Sequence, residues 1–498
     1  MASLFGGKQK RVPTDDIYPA HLMDDTTTFR NILMGWTLRF NDVLDGDMLH
    51  ASLSRLLEIG DWKKLGGRIR FNARGKLEYH VPAKFTPERP AVGYTHETFD
   101  LDIDEHPLAS RLPKPSPSPA ICEGDETFRP LAAPPDFPKS LDDYAYTDRP
   151  QLSLHIVFFR DATLVTLAWP HTMTDGLGRH ALIRNWNLVL AGKADQVQPL
   201  LGARDDVLQN ALSAPPSPSE PAYALQHLVI SGFRFFIFVL HHLWFLLFGT
   251  KHQQRRLIFI PARSIAALRQ ESMGGLAAEQ AKDPDLFISD GDILSAWGAR
   301  ILALAQPANS ARPVTTMNVF DVRTRMPSIF AAGGAYVQNL AVASWAFSDA
   351  RKLRTTPLGK TALALRSAIV EQSEETQAKA VLRIMRGVLL TGGQGPLLGE
   401  PNARMFVISN WTKGKFYQVV DFSPAVKVGA SSGVARRTWP GVGADPGKPD
   451  WFISAMFASN PFPNVWNILG KDVGGNYWIV ADLSKKTWAA VRGEIERL

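Results

Sequence analysis

Between positions 163 and 169 the chain runs Thr-Leu-Val-Thr-Leu-Ala-Trp, an apolar, β-branched stretch that predicts a buried strand. Pro170 cannot donate to a sheet ladder and should close it. Past a short polar turn, Leu182, Ile183, Trp186, Val189 and Leu190 recur at helical spacing within 180–190. Residues 152–159 form a similar apolar run, joined to the first by Arg160-Asp161, so the pair predicts a hairpin. Upstream, a helix from about Asp47 should place Met48, Leu53, Leu56, Leu57 and Ile59 on one face and stop at Gly60. Residues 68–72 and 76–81 read as paired strands. The Pro-, Asp- and Ser-rich segment 82–150 reads as long surface connection with little regular structure.

The second half alternates less regularly. The pattern predicts strands over 256–260, 314–322, 336–345, 451–457 and 477–483, with a strand pair 405–408 and 416–420. Helices are expected over 261–271, from an N-cap at Ser289 or Asp290, and along 359–390. Residues 200–226, above all 213–221, form a linker candidate. Without strict βαβ alternation or a fixed repeat, the fold class is mixed α/β (α+β). Three parts follow: an N-terminal half over 1–205, a crossover over 206–256 and a C-terminal half over 257–498.

One stretch stands apart. Residues 228–248, opened by Leu228 and closed by Phe248, are rich in Phe, Leu, Ile and Val and contain Arg234, His241 and His242. A basic run, Lys251 to Arg256, follows. The length suffices to cross a bilayer, but the internal arginine would cost about 2.5–3.5 kcal/mol near its centre. A segment lying in the membrane surface is favoured over a span, which stays open; packing against its own domain weighs about equally.

At 498 residues, 45% hydrophobic and 21% charged, the chain has a globular composition and the size of two domains or two halves of one enzyme. The net charge of +7 favours an anionic ligand or surface. Basic blocks interleaved with aromatics are absent, which disfavours nucleic acid. The single cysteine, Cys122, excludes an internal disulfide and offers no metal cluster, as expected in a reducing, cytoplasmic setting. The first ten residues have no apolar core of the kind a secretory signal needs.

The candidate chemistry sits in the turn after Pro170. His171 and Asp175 stand four residues apart, followed by Gly176 and Gly178, which supply a turn open to unusual backbone angles. A neutral imidazole, with an ordinary pKa of about 6.5, can take a proton from a hydroxyl or amine attacking a carbonyl. Asp175 would hold the ring, or bond backbone amides and an arginine to fix the turn. The plainer reading is a strand-end histidine with an aspartate N-cap.

His171-Thr-Met-Thr-Asp175-Gly176 resembles the His-x-x-x-Asp-Gly signature of the CoA-dependent BAHD acyltransferases, particularly their fungal secondary-metabolism branch. In chain order, Ser289 to Trp297 is similar to the helix opening that family's second half. Asp321-Val-Arg323-Thr-Arg325 resembles its Asp-x-Arg-x-Arg strand end, and Tyr336-Val-Gln-Asn339 its Tyr-x-Gly-Asn element, with Gln338 for glycine. Ser409-Asn-Trp411 resembles the Thr/Ser-x-Trp element. Asp421-Phe-Ser-Pro-Ala425 stands where the family has Asp-Phe-Gly-Trp-Gly, without its glycines and tryptophan.

The resemblance implies two chloramphenicol-acetyltransferase-like halves with the active site in a tunnel between them. It implies an acyl-CoA co-substrate, by family habit acetyl-CoA, with no bound cofactor and no metal. His171 would be the general base of an O-acyl transfer to a lipophilic secondary metabolite, a terpenoid or polyketide alcohol, without a covalent acyl-enzyme, in a monomer. Carried over onto this sequence, Asp175 braces the His171 loop and Asp421 pairs with Arg323. Ser409 and Trp411 are the oxyanion candidates. CoA phosphates could meet Arg436 and Arg437, or Lys413 and Lys427, none of which is assigned. An N-acyltransferase is the nearest variant. A condensation-type domain using a carrier-protein thioester usually has a second His where Pro170 stands. A catalytically silent ligand- or membrane-binding homologue is the reading of another class.

Overall fold

The computed structural model describes residues 9–218, 220–249, 253–393, 395–427, 445–457 and 462–498. Strand Thr163–Pro170 is buried along its whole length because it lies at the centre of a five-stranded sheet. The order across that sheet is Trp451–Met456, Leu33–Phe40, Thr163–Pro170, Ser153–Phe158 and Gly93–Thr98. The expected hairpin forms, with Ser153 opposite Ala168 and Phe158 opposite Thr163. Pro170 ends its strand opposite Leu33. Gly176–Leu190 follows as a helix that buries Leu182, Ile183, Trp186 and Leu190. It packs on helix Gly46–Leu56, where the Trp186 indole donates to Ser52 Oγ at 2.9 Å.

The second sheet has seven strands, in the order Ala341–Asp349, Pro313–Asp321, Arg404–Asn410, Val465–Lys471, Tyr477–Ser484, Gln253–Ile260 and Ala120–Cys122. Helix Asp290–Leu304 packs beneath it and opens on a capping box between Ser289 and Asp292. Each sheet thus takes a strand from the other part of the chain: Trp451–Met456 joins the first, and Ala120–Cys122 the second. A small third sheet joins Asp16–Pro19, Leu77–Val81 and Arg68–Phe71.

Several elements depart from the sequence reading. Segment 82–150 contains two strands, Gly93–Thr98 and Ala120–Cys122, and buries Leu131, Phe137 and Tyr144. In helix Gly46–Leu56 the buried stripe is Leu49, Leu53 and Leu56, while Met48 falls off it and is exposed. Strand Ala341–Asp349 starts beyond Asn339, because the carbonyls of Tyr336 and Gln338 accept from the Arg323 side chain instead of a neighbouring strand. The expected helix 359–390 is two, Leu358–Gln372 and Glu375–Leu390, separated where the Ser373 hydroxyl turns to Arg325. Phe416–Val419 is one helical turn, not a strand, since Lys415 takes left-handed angles (φ 42°) and redirects the chain.

The apolar stretch folds as helix Gly232–Trp244 with a wider turn over Phe245–Gly249. Thirteen residues rise only about 20 Å, against roughly 30 Å of bilayer hydrocarbon. Among the described residues no helix is long and apolar enough to cross a membrane. Lys251 and His252 of the basic run lie outside the described residues.

Candidate active site

The turn after Pro170 opens into a cavity of about 2140 Å³, lined by His171, Asp175, Ser409 and Trp411 and by apolar residues from both sheets. Sheet pairing fixes where the histidine emerges: the His171 amide donates to the Ile32 carbonyl at 2.9 Å. Its own carbonyl accepts from Asn339 Nδ2, also at 2.9 Å. The imidazole stacks flat on Phe29, with ring centroids 4.2 Å apart. Burial lowers its pKa below the ordinary histidine value, so the ring is neutral near pH 7. Neither imidazole nitrogen bonds to Asp175, and Nδ1 is buried without a hydrogen-bond partner.

Asp175 is saturated by other groups. Oδ1 accepts from the amides of Leu177 (3.1 Å) and Gly178 (2.8 Å), which makes it the N-cap of helix Gly176–Leu190. Oδ2 accepts from the Leu340 amide at 2.8 Å. Arg323 bonds both oxygens, at 2.9 and 3.1 Å. Burial alone would raise the Asp175 pKa, but the Arg323 guanidinium and the amides outweigh it and hold the carboxyl below the usual range. The aspartate therefore braces the turn; it is both the N-cap and the partner of an arginine.

Arg323 has no donor left for Asp421. Nε bonds the Tyr336 carbonyl at 3.0 Å, the terminal nitrogens bond Asp175, Asp321 and the Gln338 carbonyl, and all five donors are engaged. Asp421 instead accepts from the Ser423 hydroxyl at 2.7 Å and pairs with Lys448 at 3.1 Å. The expected Arg323–Asp421 pair is thus replaced by Arg323–Asp175. Gln338 in place of glycine leaves the Arg323 contact intact, since that contact uses backbone.

Ser409 and Trp411 come together at the end of strand Arg404–Asn410. The Trp411 indole donates to Ser409 Oγ at 2.8 Å, fixing the oxygen and leaving the hydroxyl proton to be donated elsewhere. Gly176 and Gly178 both have negative φ, so unusual backbone angles are not their reason. Gly178 is required by space: a Cβ there would stand 2.1 Å from Thr174 Oγ1 and 2.4 Å from the Val337 carbonyl oxygen. At Gly176 a Cβ would only touch Trp411, at 3.8 Å.

The sequence reading missed Asp24, Phe29 and Arg179. Asp24 is buried and accepts from both the amide and the side chain of Asn339, at 2.7 and 2.8 Å, which locks the group that holds the His171 carbonyl. No spacing rule marks it. Cys122 lies outside this cavity, and burial pushes its thiol up to about 11, so it is no thiolate nucleophile near neutral pH. Arg436 and Arg437 lie outside the described residues. Lys413 lines the cavity with Arg325 and Arg366; burial first, then those two cations, lowers its pKa.

Two sheets that share a deep cavity, with a histidine presented to it at a strand exit, make up a chloramphenicol-acetyltransferase-like fold. Residues 137–438 match the model of the transferase family. The chain belongs to that family, the BAHD-type acyltransferases, and uses acyl-CoA as co-substrate. It is 37% identical to O-acetyltransferase PaAT-2 of Phomopsis amygdali, over 98% of this chain and 99% of that one. Acetyltransferase BOT5 of Botryotinia fuckeliana is 36% identical, over 97% and 90% of the two chains. Among solved structures, TRI101 of F. sporotrichioides, complexed with coenzyme A and T-2, superposes with a TM-score of 0.66. Its identity is 14%, and 96% of this chain and 97% of that one are covered.

Proposed function

We propose that the protein transfers an acetyl group from acetyl-CoA to a hydroxyl of a lipophilic secondary metabolite, with His171 as general base and no covalent acyl-enzyme. The observation that carries this reading is the half-buried, neutral His171 ring in a large apolar cavity. At about 2140 Å³ the cavity exceeds the roughly 300–1,000 Å³ of an ordinary small-molecule pocket. That is room for the thioester arm and a sizeable acceptor together. His171 takes the acceptor proton as the oxygen attacks the thioester carbonyl, and returns it to the departing CoA sulfur. Ser409, with its oxygen held by Trp411, offers its proton to the carbonyl oxygen. Lys413, Arg325 and Arg366 offer charge to CoA phosphates.

The curated relatives named above are acetyltransferases, which favours acetyl over longer donors and oxygen over nitrogen. The apolar helix Gly232–Trp244 and the turn behind it supply Phe235, Phe238, Phe245 and Phe248 to the cavity wall. Their outward side chains are bare: Phe233 is 76% exposed, Leu247 63% and Phe236 55%. We read this outward face as resting on an intracellular membrane surface, from which a lipophilic acceptor reaches the cavity. The deciding experiment follows CoA release by the purified protein with acetyl-CoA and a panel of terpenoid and aliphatic alcohols, beside His171→Ala. Acceptor-dependent release by the parent protein alone supports the reading; equal release by both proteins removes His171 as the base.

A further inference from the structure

Arg179 stands on the first turns of helix Gly176–Leu190, and its side chain lines the same cavity as His171 and Ser409. It is 1% exposed, yet no carboxylate among the described residues comes within ion-pair distance of it. Aromatic rings surround it instead. The guanidinium carbon lies 4.1 Å from the Phe416 ring centroid, 4.4 Å from Trp36, 4.8 Å from Trp411 and 5.8 Å from Trp169.

Rings stabilise a desolvated cation through their faces but leave its N–H groups unpaired. Nε and Nη2 of Arg179 are buried and have no hydrogen-bond partner. Unpaired buried donors carry a cost that a fold keeps only for a reason. The nearest acid, Asp175, is taken by Arg323 and three amides. Arg179 is therefore a fixed cation with donors in reserve.

Its placement says for what. One ring, Trp411, carries the Arg179 guanidinium on its face and bonds Ser409 Oγ through its indole nitrogen. Two donors are thus tied to a single rigid support beside His171. A pair so arranged is complementary to an oxygen that gains charge during reaction.

We propose that Arg179 binds the thioester carbonyl oxygen and, with Ser409, carries the oxyanion of the tetrahedral intermediate. The inference rests on the acyl transfer set out above. As the acceptor oxygen bonds to the carbonyl carbon, its proton moves to His171 and the carbonyl π pair moves onto the oxygen held by Arg179. Collapse restores the C=O bond and breaks the C–S bond. The CoA sulfur takes the proton from His171 and leaves as the thiol.

The test compares Arg179→Lys, Arg179→Gln and Arg179→Met with the parent protein and His171→Ala. Methionine keeps much of the volume among the rings and lysine keeps the charge. The expected result is a kcat lowered about 10²- to 10³-fold for Arg179→Gln and Arg179→Met. KM for acetyl-CoA and for the acceptor should stay within about threefold of the parent, and Arg179→Lys should retain an intermediate rate. A folded Arg179→Met protein with the parent's kcat overturns the proposal, as does a loss seen only in the acceptor KM. Should the variants not fold, the His171→Ala protein, with Arg179 intact, supplies a second readout. The carbonyl stretch of bound ¹³C-labelled acetyl-CoA should move to lower frequency than in free solution, and an unmoved band overturns the proposal. Absence of turnover by the parent protein counts against acyl transfer itself, a different failure from normal turnover in Arg179→Met.

Discussion

The Arg323 guanidinium grips both oxygens of Asp175, at 2.9 and 3.1 Å, across 148 residues of chain. It ties the start of helix Gly176–Leu190 to the end of strand Pro313–Asp321, and so fixes the turn that presents His171. Breaking a buried pair leaves a charge without its partner, at about 3–5 kcal/mol. Arg323→Ala and Asp175→Ala should each destabilise the protein by that amount in urea unfolding. The double substitution should cost less than the sum. A strictly additive cycle would show that the two residues act separately.

His171→Ala should leave the thermal midpoint near that of the parent and slow kcat at least about a hundredfold, as loss of a general base does. A variant that keeps the parent rate would dismiss the histidine from the chemistry.

The pH dependence follows from the direction of the His171 shift. Its folded pKa is depressed, so the ring stays neutral below the ordinary histidine value. The acid limb of kcat/KM should therefore fall below about pH 6.5. Stability moves the same way: below the unfolded pKa the unfolded chain binds the proton more readily, so folding free energy is lost as pH falls. Asp175, also depressed, adds stability above its unfolded pKa that disappears in stronger acid. An acid limb above pH 7 would contradict the burial of the ring.

Gly178→Ala should be damaging and Gly176→Ala mild. The first sets a methyl against the backbone oxygen of Val337, while the second meets only the edge of Trp411. Overpacking of this kind costs about 1–3 kcal/mol. Paired melting curves would decide, and equal midpoints would sink the steric account.

Replacing Phe233, Phe236 and Leu247 together with serine should abolish co-sedimentation with vesicles of phosphatidylcholine and phosphatidylserine. Each side chain is worth about 1.5–3 kcal/mol when removed from water. Turnover of a water-soluble alcohol should change little. Parent protein that stays in the supernatant would end the membrane-surface reading.

The strand of Thr163–Pro170, its hairpin partner and the helix after Asp175 were legible because apolar β-branched runs, helical spacing and a proline are local signals. The identity of the aspartate that Arg323 takes was not. Motif order offered Asp421, and only the folded backbone brings Asp175 within reach. Strand Val465–Lys471 escaped because Asn467 and the irregularity between Ile468 and Gly470 break its alternation. Arg179 looked like any basic residue on a helix, which usually faces water. Its cage is assembled from Trp36, Trp169, Trp411 and Phe416, residues that meet only in three dimensions.

The exchange of strands between the sheets has a consequence for how the chain can be divided. Cutting near residue 205 would strip Trp451–Met456 from Leu33–Phe40 and Ala120–Cys122 from Gln253–Ile260. Each fragment would then expose a raw sheet margin, Leu33–Phe40 in one and Gln253–Ile260 in the other, both rich in apolar side chains and ready to pair with any passing strand. The two parts therefore fold as mutual clasps, and the walls of the cavity hold their spacing because neither part is finished without the other.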